Sequence, residues 1–423
     1  MRCLNAEHTL VFCGCDLKRG FSCELFSVGG VWFEMKRFSI YTAAAAVGLL
    51  AAVQAFAADP VKIGMITTLS GGGAGLGIDI RDGFALALKQ KGGKLGGVAT
   101  ELIVVDDARK VENAKQAATR MIKQDNVDVV TGIVWSNLAM AVVPAVTRAG
   151  KVYISPNAGP SALAGAKCDK NYFNVAWQND NLHEAMGQFV NDKAFKNVYL
   201  LAPNYPAGKD ALAGFKRFFK GKIAAEVYTK LGQVDYAAEI ANLRAAKPDA
   251  VFFFLPGGMG VNFVKQYAQS GLTGSIPLYG PAFSFDEGIL GAVGDAAVGT
   301  FNTSQYSHDL DNAANKAFAG AYIEAYGRKP SLYASQGYDA ALLLDGAIAK
   351  VGGNMDDADA FRAALKAAEF NSVRGAFKFG PNQHPIQDIY VREVIKDGDA
   401  ATNEIVAKVF TNHGDAYAVD CKM

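Results

Sequence analysis

The residues best suited to chemistry in this chain are small and polar. Trp135-Ser136-Asn137 and Asn157-Ala158-Gly159 each close an apolar run, at 128–134 and 151–155, and each leads into a helix start. The first turn of a helix leaves its N–H groups unpaired, so a hydroxyl, side-chain amides and backbone N–H groups there suit an anion such as a carboxylate. In open α/β sheets, ligands lie outside the carboxyl ends of the strands, where these loops fall. Ser136 can equally be an ordinary helix cap and Trp135 a core residue, so both roles stay open at this point.

Little else points to chemistry. The five histidines (His8, His183, His308, His384, His413) show no metal-ligand spacing, no Gly-x-Ser-x-Gly elbow occurs, and no cysteine stands in a catalytic context. The loop at 69–75, headed by Leu69, is glycine-rich but lacks the Lys-Ser/Thr ending of a phosphate loop. Its glycines are read as letting the backbone approach a ligand. Asp106-Asp107 reads as a strand-end turn and not as an acid/base couple. An enzyme is therefore set aside, and no cofactor or metal is expected. With 42 basic against 41 acidic residues and 50% hydrophobic content, the chain reads as an ordinary globular protein with no case for nucleic acid.

The elements that must position these loops alternate strand and helix. Strands are expected at 61–66, 101–106 and 128–134, with helices at 77–91 and 113–124 between them. The order returns about 135 residues later: strands at 197–202, 222–228 and 250–255, helices at 209–219 and 236–246. MIKQDNVDVVTGI at 121–133 has the same design as NLRAAKPDAVFFF at 242–254. Two βαβαβ copies imply an α/β protein of two doubly wound, Rossmann-like lobes with a cleft between facing strand ends. Helices at 312–327, 335–351 and 358–370 and a strand pair at 375–379 and 388–396 complete the two sheets. The chain then crosses between lobes more than once, forming a multi-crossover hinge. The expected division is 58–180 with 307–370 for lobe one, and 181–306 with 371–423 for lobe two.

The N-terminus reads as an export signal. Met35-Lys36-Arg37, an apolar stretch at 41–53 and Ala55-Phe56-Ala57 form a signal peptide over 35–57, cleaved near Ala57, which places the mature protein outside the cytoplasm. Residues 1–34 precede that signal and are read as an upstream extension without a fold of their own. The two cysteines left after cleavage, Cys168 and Cys421, are most simply one disulfide.

The opening IGMITTLSGGGAGLG, the Asp106-Asp107 pair, TGIVWSN, YISPNAGPS and the repeat spacing together resemble the periplasmic solute-binding proteins of ABC importers. The branched-chain amino acid type, with the type I two-lobe fold, is the nearest branch, and the likeness spans roughly 59–396. The resemblance implies a monomer in the periplasm that closes around a small carboxylate ligand and docks on an ABC permease in the inner membrane. It also implies that Ser136, Asn137, Ala158 and Gly159 hold the carboxylate, and that Tyr205 is a lobe-two wall.

Two features depart from the amino-acid binders of that branch. They carry an acidic residue after a Gly-Pro pair, to hold the ligand ammonium, whereas Gly280-Pro281 here is followed by Ala282-Phe283. The segment that supplies them a tyrosine reads Leu255-Pro256-Gly257-Gly258-Met259. An unpaired buried ammonium costs several kcal/mol. The opposite jaw, around Tyr205, Pro256 and Ala282-Phe283, is therefore expected to take an apolar body, with Trp135, Trp177, Phe254 and Tyr306 as further aromatic candidates. The likeness also reaches relatives that import aromatic acids, which the segment NYFNVAWQND at 171–180 resembles, and it implies an aromatic acid, a hydroxybenzoate or cinnamic-type acid, as the ligand. A branched-chain amino acid or amide is the alternative, and a sensor that presents its ligand to a receptor is a second.

Overall fold

The computed structural model describes residues 59–423 and, before them, a two-residue antiparallel pairing of Cys13–Gly14 with Ser22–Cys23. The readings of 1–34 and 35–57 otherwise lie outside the described residues.

Lobe one is built from β1 (Val61–Thr67), α1 (Ala74–Gln90), β2 (Lys94–Leu95), β3 (Val98–Asp106), α2 (Val111–Arg120), β4 (Val129–Thr131), α3 (Ser136–Arg148), β5 (Val152–Ser155), α4 (Ser161–Ala164) and β6 (Tyr172–Asn174). Its six-stranded sheet runs β2-β3-β1-β4-β5-β6, all parallel except the short β2 edge. Strands covered on both faces read as near-continuous apolar runs, and β1 and β4 are buried along almost their whole length. Met121, buried after α2, packs so close to β1 that a Cβ on Gly64 would lie 2.6 Å from its sulfur.

Lobe two contains α5 (Asn181–Asp192), β7 (Asn197–Pro203), α6 (Pro206–Phe218), β8 (Lys222–Thr229), α7 (Ala237–Ala246), β9 (Ala250–Phe253), α8 (Gly258–Gln269), β10 (Leu278–Pro281), α9 (Glu287–Val293) and β11 (Phe301–Ser304). The chain then gives α10 (Ala313–Tyr326), α11 (Leu332–Lys350) and α12 (Ala358–Ala367), of which α10 and α11 pack on α1. It ends in β12 (Lys378–Phe379), β13 (Pro385–Asp397) and β14 (Ala400–His413). The second sheet runs β8-β7-β9-β10-β11-β13-β12, with β14 antiparallel on β13.

The chain belongs to both sheets through three crossings, after β6, after β11 and after α12. The duplication extends to backbone detail. Asn126 and Lys247, equivalent in the matched segments, are both left-handed, with φ 52° and 48°, and each ends the helical stretch before its strand.

Several boundaries shift, among them the helices expected at 77 and 209 and the strand expected at 101, which each begin three residues earlier. The strand expected at 388–396 begins at Pro385, and its partner at 375–379 shortens to Lys378–Phe379. The helix expected from 335 begins at Leu332, capped by Ser331, whose side chain accepts from the Ala334 N–H at 3.1 Å. Strand β14 was not expected at all. It is a solvent-washed outer strand whose side chains are mostly exposed or half-buried, so it lacks the apolar alternation that marks a core strand.

The Arg374 guanidinium sits where the crossings meet. It donates to Asp339 of α11 at 2.9 Å, to Gln387 of β13 at 2.7 Å and to the Ala176 carbonyl at 3.1 Å, and also to the Val175 carbonyl. Cys168 and Cys421 are bonded, with Cα atoms 5.6 Å apart, which ties the C-terminal tail to the loop after α4.

Candidate functional site

The site forms where the ends of β4 and β5 face the ends of β7, β9 and β10. Gly132, at φ 106°, turns the chain out of β4, and a Cβ there would lie 2.7 Å from the Ile66 carbonyl. The turn leads to Trp135, which sits at the N-cap of α3 without any side-chain cap hydrogen bond. Leu138 and Ala139 donate to the Trp135 carbonyl, leaving the Ser136 and Asn137 amides without a backbone acceptor among the described residues.

The Trp135 indole N–H donates to Thr68 at 3.0 Å, and the Thr68 hydroxyl donates to Asp107 at 2.6 Å. The Arg109 guanidinium lies 5.5 Å from the Trp135 ring centre. Asp106 accepts the amides of Leu69 and Ala108, each at 2.8 Å, so the acidic pair is a strand-end turn, as its sequence suggested. Burial pushes the Asp107 carboxyl above its usual range, whereas hydrogen bonds from Ser70 and the Leu69 and Ala108 amides outweigh the opposing burial at Asp106 and hold it below.

The second loop is tied to the first. Asn157 donates to the Val134 carbonyl at 2.6 Å, and its buried Oδ1 has no partner among the described residues. The Ala158 carbonyl accepts from Ser155, Tyr172 and Asn174 at 2.7, 2.9 and 3.1 Å, which fixes the orientation of the loop. The Gly159 amide donates to Asn179 at 3.1 Å, and a Cβ on Gly159 would lie 2.2 Å from the Trp177 carbonyl. Asn179 in turn donates to the Ser136 hydroxyl at 3.1 Å.

Lobe two supplies an aromatic wall. Tyr205 stands at the N-cap of α6, stacked on Phe254 with centroids 6.3 Å apart and 6.4 Å from Trp135 of the other lobe. Phe283 meets Trp177 edge-on at 4.8 Å and Tyr333 at 6.3 Å. Burial drives the Tyr205 and Tyr333 hydroxyls far above the ordinary phenol range, so both stay protonated. Burial also pushes the His183 imidazole down to about 3, so its ring is neutral at physiological pH.

Between the walls lies a narrow cavity. Trp135, Ser136, Ala158, Tyr205, Pro256 and Phe283 line it, as do Trp177 and Phe254. Asn137, Gly159, Ala282 and Leu69 do not. Ala282 is fully buried beside Phe283, and Leu69 lies on the Asp106 turn. Tyr306 also falls outside, packed 6.3 Å from Phe318.

Asn179, His183 and Tyr333 line the cavity without having been singled out. Tyr333 was hidden by the late helix start assigned to α11, and the Pro330-Ser331 cap was the signal that could have found it. His183 lies on a helix and not on a loop, and no local pattern marks it. Among the described residues, the lining contains no Asp, Glu, Lys or Arg.

This geometry can clasp a small molecule between an N–H-rich edge and an aromatic wall. A family description, periplasmic binding protein, matches residues 60–399. The chain belongs to the periplasmic binding protein family. Among its relatives is the Leu/Ile/Val-binding protein homolog 6 of Brucella melitensis, 29% identical over 90% of this chain and 98% of the relative. A solute-binding protein of an ABC transporter from R. palustris, solved with benzoate, is 34% identical over 86% of this chain and 100% of that one, with a TM-score of 0.81. Another from Rhodopseudomonas palustris BisB5, solved with 3,4-dihydroxybenzoic acid, is 32% identical over 85% of this chain and 99% of that one, with a TM-score of 0.78. The type I fold of this periplasmic binding protein is thus the one in which ABC-transporter solute-binding proteins work. Among the described residues no helix is long and apolar enough to cross a membrane.

Proposed function

We propose that this periplasmic binding protein captures an aromatic carboxylate and delivers it to an ABC permease of the inner membrane. It would work as a monomer in the periplasm, with 58–180 and 307–370 closing against 181–306 and 371–423. The observation that carries the reading is the cavity's composition. Its lobe-one edge offers unpaired N–H groups at the start of α3 and the Ser136 hydroxyl, while its body is Trp135, Trp177, Tyr205, Phe254, Phe283 and Tyr333. Flat rings stack and pack edge-on against such walls. Among the described residues, no acidic side chain lines the space to pair with an ammonium group, which disfavours a free amino acid. The two relatives solved with benzoate and dihydroxybenzoate support the same ligand class.

The Leu/Ile/Val-binding name of the Brucella relative favours a second reading, in which the ligand is a branched-chain amino acid or amide. A sensory role, with the loaded form presented to a receptor, uses the same closure. Closure itself follows if the ligand binds the closed form more tightly and shifts the population towards it. Thermal-shift measurements against benzoate, hydroxybenzoates, cinnamic-type acids, leucine, valine and aliphatic amides test the reading. Stabilisation by aromatic acids is expected; stabilisation by leucine or valine alone overturns it.

A further inference from the structure

His183 stands in the first turn of α5, on the lobe-two side of the cavity, and is only 1% exposed. Its Nδ1 has no hydrogen-bond partner among the described residues. Three phenyl rings surround it: Phe254 at 5.1 Å, Phe252 at 5.8 Å and Phe283 at 6.0 Å between centroids. Packing alone at such a position is better served by another phenyl ring, because a buried polar nitrogen left unpaired costs about 1–3 kcal/mol. Orphaned polar atoms of this kind call for an explanation, and a ligand group is the natural one when the residue lines a cavity.

We infer that His183 is a specificity-determining residue that hydrogen-bonds a ring hydroxyl of the bound aromatic acid. The inference rests on the aromatic-acid reading above and narrows it to hydroxylated rings. A neutral imidazole presents one N–H donor and one bare nitrogen acceptor, and a phenolic hydroxyl can both donate and accept. The pair is therefore complementary in either tautomer.

The polarity of the cavity sets the direction. Ser136, Asn157 and Ala158 belong to the lobe-one loops, whereas His183 rises from lobe two. A ligand whose carboxylate meets the α3 terminus carries its hydroxyl away from that group, at the meta or para position. In the ligand-free cavity burial favours the uncharged imidazole, the form that pairs with a hydroxyl. A ring without a hydroxyl leaves the nitrogen unpaired, and sites built to hydrogen-bond a hydroxyl discriminate against analogues that lack it.

Titration calorimetry with benzoate, 3-hydroxybenzoate and 4-hydroxybenzoate tests this on the wild type, His183→Phe, His183→Asn and Tyr333→Phe. The wild type is expected to bind one of the hydroxylated acids at least ~10-fold more tightly than benzoate. His183→Phe should erase that preference by weakening the hydroxylated acid alone, and His183→Asn, which keeps a donor and an acceptor, should restore part of it. An equal loss for benzoate and hydroxybenzoate in His183→Phe, or loss of the preference in Tyr333→Phe instead, overturns the assignment. Wild-type binding of benzoate with no preference for either hydroxylated acid also overturns it while leaving the aromatic-acid reading in place. Failure of all three acids and of cinnamic-type acids to bind the wild type sinks that reading itself. The wild-type preference is measured without any variant, so the test stands even if a substitution prevents folding.

Discussion

Asp210 of lobe two accepts two hydrogen bonds from Ser161 of lobe one, from its amide at 3.0 Å and from its hydroxyl at 2.7 Å. Asn179, on the first crossing, donates to the same carboxylate at 2.9 Å. Asp210 does not line the cavity, so it acts on binding through lobe closure and through Asn179, which does line it. Hydrogen bonds to a charged group are worth about 1.5–3 kcal/mol each. Asp210→Ala is expected to weaken ligand affinity by ~10-fold or more and to raise the fraction of open molecules seen by small-angle scattering at subsaturating ligand. Unchanged affinity would show that these contacts persist in the open form.

Ser136 offers its hydroxyl and its amide to the cavity from the uncapped start of α3. Because no cap hydrogen bond is made by the residue before it, Ser136→Ala removes a ligand contact and the Asn179 bond but no helix cap. Carboxylate affinity should drop by ~5–30-fold, with a melting temperature of the free protein within a few degrees of wild type. A large loss of stability with unchanged affinity would assign Ser136 to packing.

At the hinge, Arg374 and Asp339 form an ion pair of fully buried partners 2.9 Å apart. Removing one partner strands the other's charge, a loss of about 3–5 kcal/mol. Arg374→Met and Asp339→Asn should each lower stability to denaturant by about that amount, and the double variant should lose clearly less than the sum of the two. Additive losses would mean that the pair acts as two independent packing residues.

The neutral His183 makes stability depend on pH. Its folded value, about 3, lies below the ordinary 6.5, so the unfolded chain binds the extra proton first. The contribution is therefore complete above pH 6.5 and is lost as the pH falls from 6.5 towards 3, at about 1.4 kcal/mol per unit. Urea unfolding of the ligand-free wild type and His183→Phe at pH 7.5 and 5.5 should show the wild type losing ~1.4 kcal/mol more on acidification. Parallel losses in the two proteins contradict a buried neutral ring.

The Cys168–Cys421 bond spans 253 residues, and bonds that close long loops restrict the unfolded chain most. Cys168→Ser with Cys421→Ser, or reduction, is expected to lower stability by about 3–5 kcal/mol while leaving the ligand affinity intact. Calorimetric melting with and without reductant measures it, and an unchanged melting temperature would count against the bond in solution.

Much of this architecture is legible in the residues because the duplication is literal. The matched segments at 121–133 and 242–254 carry the same strand and even a left-handed residue at the same position, and Trp135-Ser136 and Ala158 fall in the cavity wall by the strand-end rule. What stays hidden depends on contacts across the chain. His183 reaches the site only because the first crossing delivers α5 against β9 and β10. Asn137 and Gly159 neighbour lining residues without lining the cavity themselves, and Gly159 spends its amide on Asn179. Strand β14 exists because β13 offers an open edge, a tertiary fact with no local signature.

The tail bond also constrains the order of assembly. Cys168 emerges from the ribosome before any strand of lobe two, yet its partner follows β14. All six strands of the lobe-one sheet precede lobe two in the chain, so Cys168 needs the far end of the sequence for its partner. The bond therefore joins the first-made lobe to the last-made tail and holds that tail across the hinge.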